Sequence, residues 1–308
     1  MVQTPVFWNS YLRDAWLDVG LEFSAPHYKP ALLVSEPGNG AEFLVLALVA
    51  GQGCSQPKQG LGCLTCSVCQ QVFSRTNSDV MVFDFDEPLK LEAADRIREH
   101  LQVSSGRQSE KAVPRTVCLF GMERMNDAGV NRLLKLFEEP PVNTWIIGTA
   151  TSKDAILDTL QSRLTCIGLP GASQEQIASD YPDLGAFGRS YADGSYGRAQ
   201  LWHAFDQIEL WQDLKALTGA GTTTARFAAA ERVQKKIKPA KSRAESSGSL
   251  PGWFRQSDLW QALNVQLGHD VAGDSYKRRF MQQKIIDQYK KCTVPYNLRL
   301  ALDAFAAC

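Results

Sequence analysis

The sequence predicts an α/β fold, a parallel sheet with helices on both faces, followed by a wholly helical second half. Three observations carry this expectation. Short apolar stretches of strand length alternate with helix-length segments over the first 170 residues, the pattern of a doubly wound sheet. The first stretch runs into a Gly-x-Gly loop and then an apolar helix, the layout of a phosphate-cradling loop. From Ser173 onward the β patterning fades, and bulky apolar residues recur at helical spacing.

The strand candidates are Ala31 to Ser35, Val80 to Phe85, Thr116 to Phe120 and Trp145 to Thr149. Each is short and apolar, as a strand buried on both faces requires. Helices are expected at Ala41 to Gly51, Leu91 to Gln102, Asp127 to Phe137 and Lys153 to Arg163. In the second half, Leu201, Trp202, Phe205, Ile208, Trp211 and Leu214 form one helical series, and Tyr276, Phe280, Ile285 and Tyr289 another. Arg232 to Arg243 carries six basic side chains, and Ser246 to Gly252 is rich in Ser, Gly and Pro. That predicts a helix end running into an exposed loop.

With 308 residues the chain has room for two or three domains. Its 33 basic and 33 acidic residues balance, so any contact with nucleic acid must come from a local patch. The apolar run Phe43 to Ala50 has eight residues, too few to span a bilayer. No signal-peptide pattern opens the chain, and a cytoplasmic protein is expected.

Residues 32–43 read Leu-Leu-Val-Ser-Glu-Pro-Gly-Asn-Gly-Ala-Glu-Phe. After Gly38 and Gly40, the place of a phosphate-binding lysine holds Ala41, and that of a magnesium-binding hydroxyl holds Glu42. A carboxylate there repels a triphosphate. The same Pro37 to Gly40 segment also reads as a plain surface turn.

Of eight cysteines, Cys54, Cys63, Cys66 and Cys69 fall within 16 residues, spaced Cys-x8-Cys-x2-Cys-x2-Cys. Thiolates two residues apart can hold one tetrahedral ion, and a loop can bring in the distant fourth. Gly60 and Gly62 give the backbone the freedom to close around it. Four thiolates leave no open coordination position, which points to structural zinc; the alternative is a chance cluster. Cys118, Cys166, Cys292 and Cys308 stand alone, and Cys118 reads as core.

A third segment, Asn131 to Pro141, gives the loop its context. Its Leu133-Leu134-Lys135 followed by Glu138-Glu139-Pro140-Pro141 resembles the signature of bacterial clamp-loader subunits, AAA+ proteins of the replicative polymerase holoenzyme. That family carries a four-cysteine zinc module just after the phosphate-loop helix, as this chain does. Thr149-Ala150-Thr151-Ser152 is similar to its sensor-1 strand end. Gln161-Ser162-Arg163 is similar to the start of its Ser-Arg-Cys motif, with Leu164 in place of the cysteine. Gly194 to Ala199 is similar to its sensor-2 segment, with Arg198 as the sensor arginine. The resemblance covers residues 1–205 closely and the rest by pattern alone.

The resemblance implies an AAA+ core at 1–170 with the zinc module at 54–69, a helical lid at 171–207 and an all-α oligomerisation collar at 208–308. In the family's ATPases an Asp-Glu pair ends the strand before the Leu-Leu-Lys helix; here Phe120 and Gly121 stand there. Glu123 lies two residues on, a shift expected to aim it elsewhere. The resemblance then implies a non-hydrolysing subunit with no functional ATP site in cis. It would assemble with delta and gamma/tau subunits and reach the sliding clamp and primer–template DNA through the complex. Arg163 would act as an arginine finger on a neighbour's ATP. Two other readings stay open: a self-sufficient AAA+ ATPase with unusual site residues, and a zinc-ribbon nucleic-acid-binding protein. Lys58, the lone basic residue between Cys54 and Cys69, counts against the latter.

Overall fold

The computed structural model describes residues 5, 8, 10–19, 29–84, 91–102, 113–207, 209–218, 222–237, 256–270, 282–285, 301–302 and 306. The chain folds as two compact units, residues 1–172 and 173–308.

The first unit is built on a parallel sheet of five strands: β1 (Ala31–Val34), β2 (Val80–Asp84), β3 (Arg115–Phe120), β4 (Thr144–Ala150) and β5 (Thr165–Gly168). Their order is β2-β3-β4-β1-β5. Leu33 pairs with Thr149 on one side and Ile167 on the other, so β1 lies inside the sheet. The helices of this unit are α1 (Leu12–Val19), α2 (Ala41–Gly53), α3 (Ser67–Phe73), α4 (Leu91–Gln102), α5 (Asp127–Glu138) and α6 (Asp158–Gln161). On one face, Leu32, Val117, Leu119 and Ile146 pack against Ala94, Ile97 and Leu101 of α4 and Val130, Leu133 and Phe137 of α5. From Leu44 to Gly51, α2 is buried on every side, which explains why its apolar residues show no stripe.

All four expected strands are present within a residue or two, and β5 adds a fifth that was too short to stand out. Phe85 lies outside the described residues. The single helix expected from Lys153 to Arg163 is corrected. The chain instead makes a 3₁₀ turn at Lys153–Ala155, extends at Ile156 and Leu157, and only then forms α6. The Ser152 hydroxyl accepts from the Asp154 N–H at 3.2 Å, and the Gln161 amide donates to the Ile156 carbonyl at 2.7 Å, so side chains satisfy the backbone where the helix is interrupted. Helices α1 and α3 also escaped sequence reading.

In the second unit every described element is helical: α7 (Gln174–Asp180), α8 (Gly185–Ala192), α9 (Tyr196–Gln207), α10 (Leu210–Thr218), α11 (Thr223–Ile237) and α12 (Gln256–Asp270), with a 3₁₀ turn at Pro182–Leu184. A capping box starts α7, where Ser173 and Gln176 satisfy each other's backbone N–H groups. One core joins Tyr191, Leu201, Phe205, Leu214, Val233 and Trp260, among others. Trp211 sits edge-on to Tyr191 and Phe205 at 5.2 and 5.3 Å and donates from its indole to the Trp202 carbonyl at 3.1 Å. The buried Asp213 carboxylate is met by Arg232 at 2.6 Å and Lys236 at 2.9 Å. The expected basic run beyond Ile237, the Ser246 to Gly252 loop, and Ile208, Tyr276, Phe280, Tyr289, Cys292 and Cys308 lie outside the described residues. No helix among the described residues is long and apolar enough to cross a membrane.

Candidate functional site

Three constellations lie in the first unit. The crevice outside the carboxyl ends of β1, β3 and β4 is where an open α/β sheet places its ligands. There the Gly38 and Gly40 backbones take left-handed φ values of 79° and 82°, which glycine adopts without strain. Gly40 caps α2, and the Leu44 N–H donates to its carbonyl at 2.9 Å. The loop is therefore a glycine turn that leads directly into the N-terminus of α2. Ala41 is buried and offers only a methyl group at the lysine position. Glu42 stands next to it. Surrounding protein strips water from its carboxyl group and pushes its pKa up, and the charges of Asp84 and Glu123 add to that rise.

At the end of β3, Phe120 is buried and Gly121 turns through φ 76°. The Gly121 N–H donates to the Thr149 carbonyl at 3.1 Å. A 3₁₀ turn at Met122–Arg124 follows. It can fold down because Gly148 of β4 has no side chain: a Cβ there would meet Met122 Sδ at 2.2 Å. That turn corrects the sequence expectation for Glu123. The Thr151 hydroxyl donates to Glu123 Oε1 at 3.1 Å, and the carboxylate is close enough to raise Glu42. Glu123 is thus near enough for its charge to act on Glu42, where the Arg124 charge acts in the opposite sense.

The second constellation is the cysteine cluster. The four sulfurs of Cys54, Cys63, Cys66 and Cys69 all lie within 4.8 Å of one another. Cys54 and Cys66 Sγ are 3.8 Å apart, the edge of a tetrahedron with metal–sulfur bonds of about 2.3 Å. The donor set therefore fits a tetrahedral ion. Cys54 Sγ accepts from the Cys63 N–H at 3.2 Å and the Gln56 N–H at 3.4 Å, and Cys63 Sγ from the Cys66 N–H at 3.4 Å. Such bonds favour the thiolate. The Thr65 hydroxyl and N–H bring the Cys63 thiol down to about 6. Burial pushes the Cys66 thiol up, but N–H groups of Cys69 and Ser55 outweigh it and leave it lowered. Burial holds Cys54 and Cys69 above the ordinary thiol range; a bound cation would offset that.

Local backbone builds this cluster. Lys58 and Leu61 form a small antiparallel bridge closed by Gln59 and Gly60, with φ 54° and 80°, the signature of a tight hairpin turn. A Cβ on Gly62 would approach Cys69 Sγ to 2.8 Å, so only glycine fits. Gly51 of α2 went unnoticed in the sequence, where a glycine near a helix end reads as a stop signal. A Cβ there would lie 1.9 Å from the Gly60 carbonyl oxygen, so the hairpin rests directly on α2. Phe43 of α2 stacks on Phe73 of α3 at 4.8 Å and meets Trp8 at 5.0 Å, fixing the far side.

The third constellation surrounds Arg163, just past α6. Its Nε and Nη2 donate to Glu138 Oε1 at 2.7 and 2.5 Å. Its Nη1 donates to the Thr159 carbonyl and to Ser162 Oγ. The Arg163 side chain is 29% exposed. Cys118 is buried in β3, away from the four clustered thiols, and burial raises it to about 12. Arg198, on α9 of the second unit, lies 3.5 Å from Asp193.

A family model described as "DNA polymerase III, delta subunit" matches residues 22–173. The chain is 28% identical over 261 residues to DNA polymerase III subunit delta′ of Pseudomonas aeruginosa, covering 81% of this chain and 76% of that one. These likenesses support a clamp-loader delta-prime-like protein. It is also 27% identical over 157 residues to the delta′ subunit of Escherichia coli, 51% of this chain and 47% of that one. An uncharacterized MG007 homolog of Mycoplasma pneumoniae is 32% identical over 126 residues, 41% of this chain and 48% of the other. The chain spans about half the length of these last two relatives. A DNA polymerase III gamma subunit-related protein from Thermotoga maritima superposes with a TM-score of 0.52 at 14% identity, covering 96% of this chain and 97% of its own. That likeness speaks for the fold.

Proposed function

We propose that the chain is the non-hydrolysing stator of a bacterial replicative clamp loader. In this reading it neither binds nor hydrolyses ATP usefully, and Arg163 acts on ATP held by a neighbouring subunit. The observation that carries the reading is the crevice. Its loop keeps the cradle backbone at Gly38 and Gly40, while Ala41 supplies no amine and Glu42 and Glu123 supply negative charge. A site that binds a triphosphate needs cationic and metal contacts there.

Arg163 keeps the planar, permanently charged fork suited to phosphate oxygens. A residue that serves another subunit's nucleotide does not depend on its own chain's crevice. Residues 1–170 would form the AAA+ core, 171–207 the lid and 208–308 a collar that joins delta and gamma/tau subunits. The sliding clamp and primer–template DNA would be reached through that complex, in the cytoplasm. Cys54, Cys63, Cys66 and Cys69 would hold one zinc ion, which when bound ties the hairpin and α3 together.

A titration of the isolated chain with magnesium and ATP tests the crevice. The expected result is no saturable binding in the micromolar range, with the chain folded throughout. Magnesium-dependent micromolar affinity would contradict the reading.

A further inference from the structure

We infer that Glu138 is a positioning residue for Arg163, holding the guanidinium in place for the neighbour's nucleotide. The inference rests on the proposed trans role of Arg163. Glu138 is the last residue of α5, and Pro140 and Pro141 follow it closely. A carboxylate in the last turn of a helix faces the negative end of the dipole and is disfavoured there. Nothing in the helix itself calls for an acid at this point. Its hydrogen-bond partner among the described residues is the arginine, whose Nε and Nη2 both converge on Oε1.

The remaining contacts complete a cradle. Nη1 is taken by the Thr159 carbonyl within α6 and by Ser162 Oγ. Three partners on two elements thus fix the plane of the guanidinium, and one Nη2 N–H has no partner among the described residues. The Arg163–Glu138 pair forms one wall of an open groove of about 460 Å³, with Lys29, Pro30, Pro140, Pro141, Val142 and Leu164 around it. Val142 is 72% exposed. Rigid prolines, an exposed apolar residue and a fixed cation suit a surface that receives another protein's edge bearing phosphate charge. Holding the fork in advance removes the freedom an unrestrained arginine would lose on contact.

The test uses the clamp loader reconstituted from same-source subunits, with DNA- and clamp-stimulated ATP turnover as readout. Glu138→Ala should lower kcat about three-fold or more, since one interface of several is affected, with KM for ATP and assembly unchanged. Glu138→Gln should restore most of the rate, because its amide oxygen accepts the same two N–H groups. Glu138→Asp, which retracts the acceptor by a methylene, should fall between and serves if the alanine variant does not assemble. In an Arg163→Ala background, Glu138→Ala should add no further loss. Asp95→Ala, which breaks a similar fork on Arg132 between α4 and α5, should leave turnover unchanged. If Arg163→Ala slows the complex while Glu138→Ala runs at the wild-type rate or faster, positioning is overturned. An additive loss in the double variant overturns it too. Wild-type turnover by Arg163→Ala itself would instead remove the finger reading beneath it.

Discussion

Gly51 decides how the cysteine module sits. Replacing a helical glycine by alanine ordinarily stabilises a helix by up to about 1 kcal/mol. Here the new methyl would lie 1.9 Å from a backbone oxygen, that of Gly60. Neither backbone can yield without breaking the hairpin, so the sign reverses. Gly51→Ala should destabilise the first unit by about 1–3 kcal/mol, read as a lower unfolding midpoint and faster loss of metal to a chelator. An unchanged midpoint would mean that the hairpin is free to move. The cysteines supply the second residue-scale test. Elemental analysis should give about one zinc per chain, and Cys66→Ser should reduce it while the helical second unit stays folded. Full zinc loading in that variant would remove Cys66 from the ligand set. The cysteine spacing was plain in the sequence because ligand spacing is local. Gly60 and Gly62 were legible with it, but Gly51 was not, since only the folded backbone brings it against the Gly60 carbonyl.

Among the elements, α4 shows how burial couples to pH. His100, in its last turn, lies 3.3 Å from the Asp79 carbonyl at the edge of β2. Burial lowers its pKa below the ordinary 6.5, and the nearby Arg115 charge adds to the fall. The unfolded chain therefore binds more protons than the folded one once pH drops below about 6.5. This contribution to stability is present above 6.5 and is lost as pH falls toward the lowered folded value. His100→Gln should flatten the decline in unfolding midpoint between about pH 7 and pH 5 relative to wild type. An equal decline in both proteins would mean that His100 contributes nothing. The strands and long helices were legible because β1 to β4 are apolar runs and α4 and α5 carry clear stripes. The stretch from Lys153 to Leu164 was misread. Its composition suits a helix, but Ser152 caps a short turn at the Asp154 N–H and the Gln161 amide takes the Ile156 carbonyl, holding an extended step between two short turns. Glu123 was misjudged for a related reason: counting residues from the strand end ignores a 3₁₀ turn that draws the chain back.

At the scale of the whole molecule, the chain carries an open parallel sheet, the proposed nucleotide-binding frame, with different chemistry placed on it. Strand order β2-β3-β4-β1-β5 places the loop, the Glu123 turn and Thr151 around one crevice, where Ala41 puts a methyl at the lysine position and the Glu42 carboxylate lies within reach of the Glu123 and Arg124 charges. The cation suited to phosphate stands instead at Arg163, held by Glu138 beside a separate groove. Family signatures made the loop, the cysteines and Arg163 visible beforehand. The Glu138 clamp was hidden because its partners are 25 residues apart. Losing this partly exposed ion pair should cost the isolated chain no more than about 1 kcal/mol, so a catalytic effect can be separated from a folding one. The measurement that bears most directly on the account is ATP turnover by a reconstituted clamp loader carrying Arg163→Ala, stimulated by clamp and primed DNA. The account predicts normal assembly with clearly slower turnover, only partly rescued by Arg163→Lys because a point charge lacks the fork. Normal assembly with wild-type turnover would contradict it.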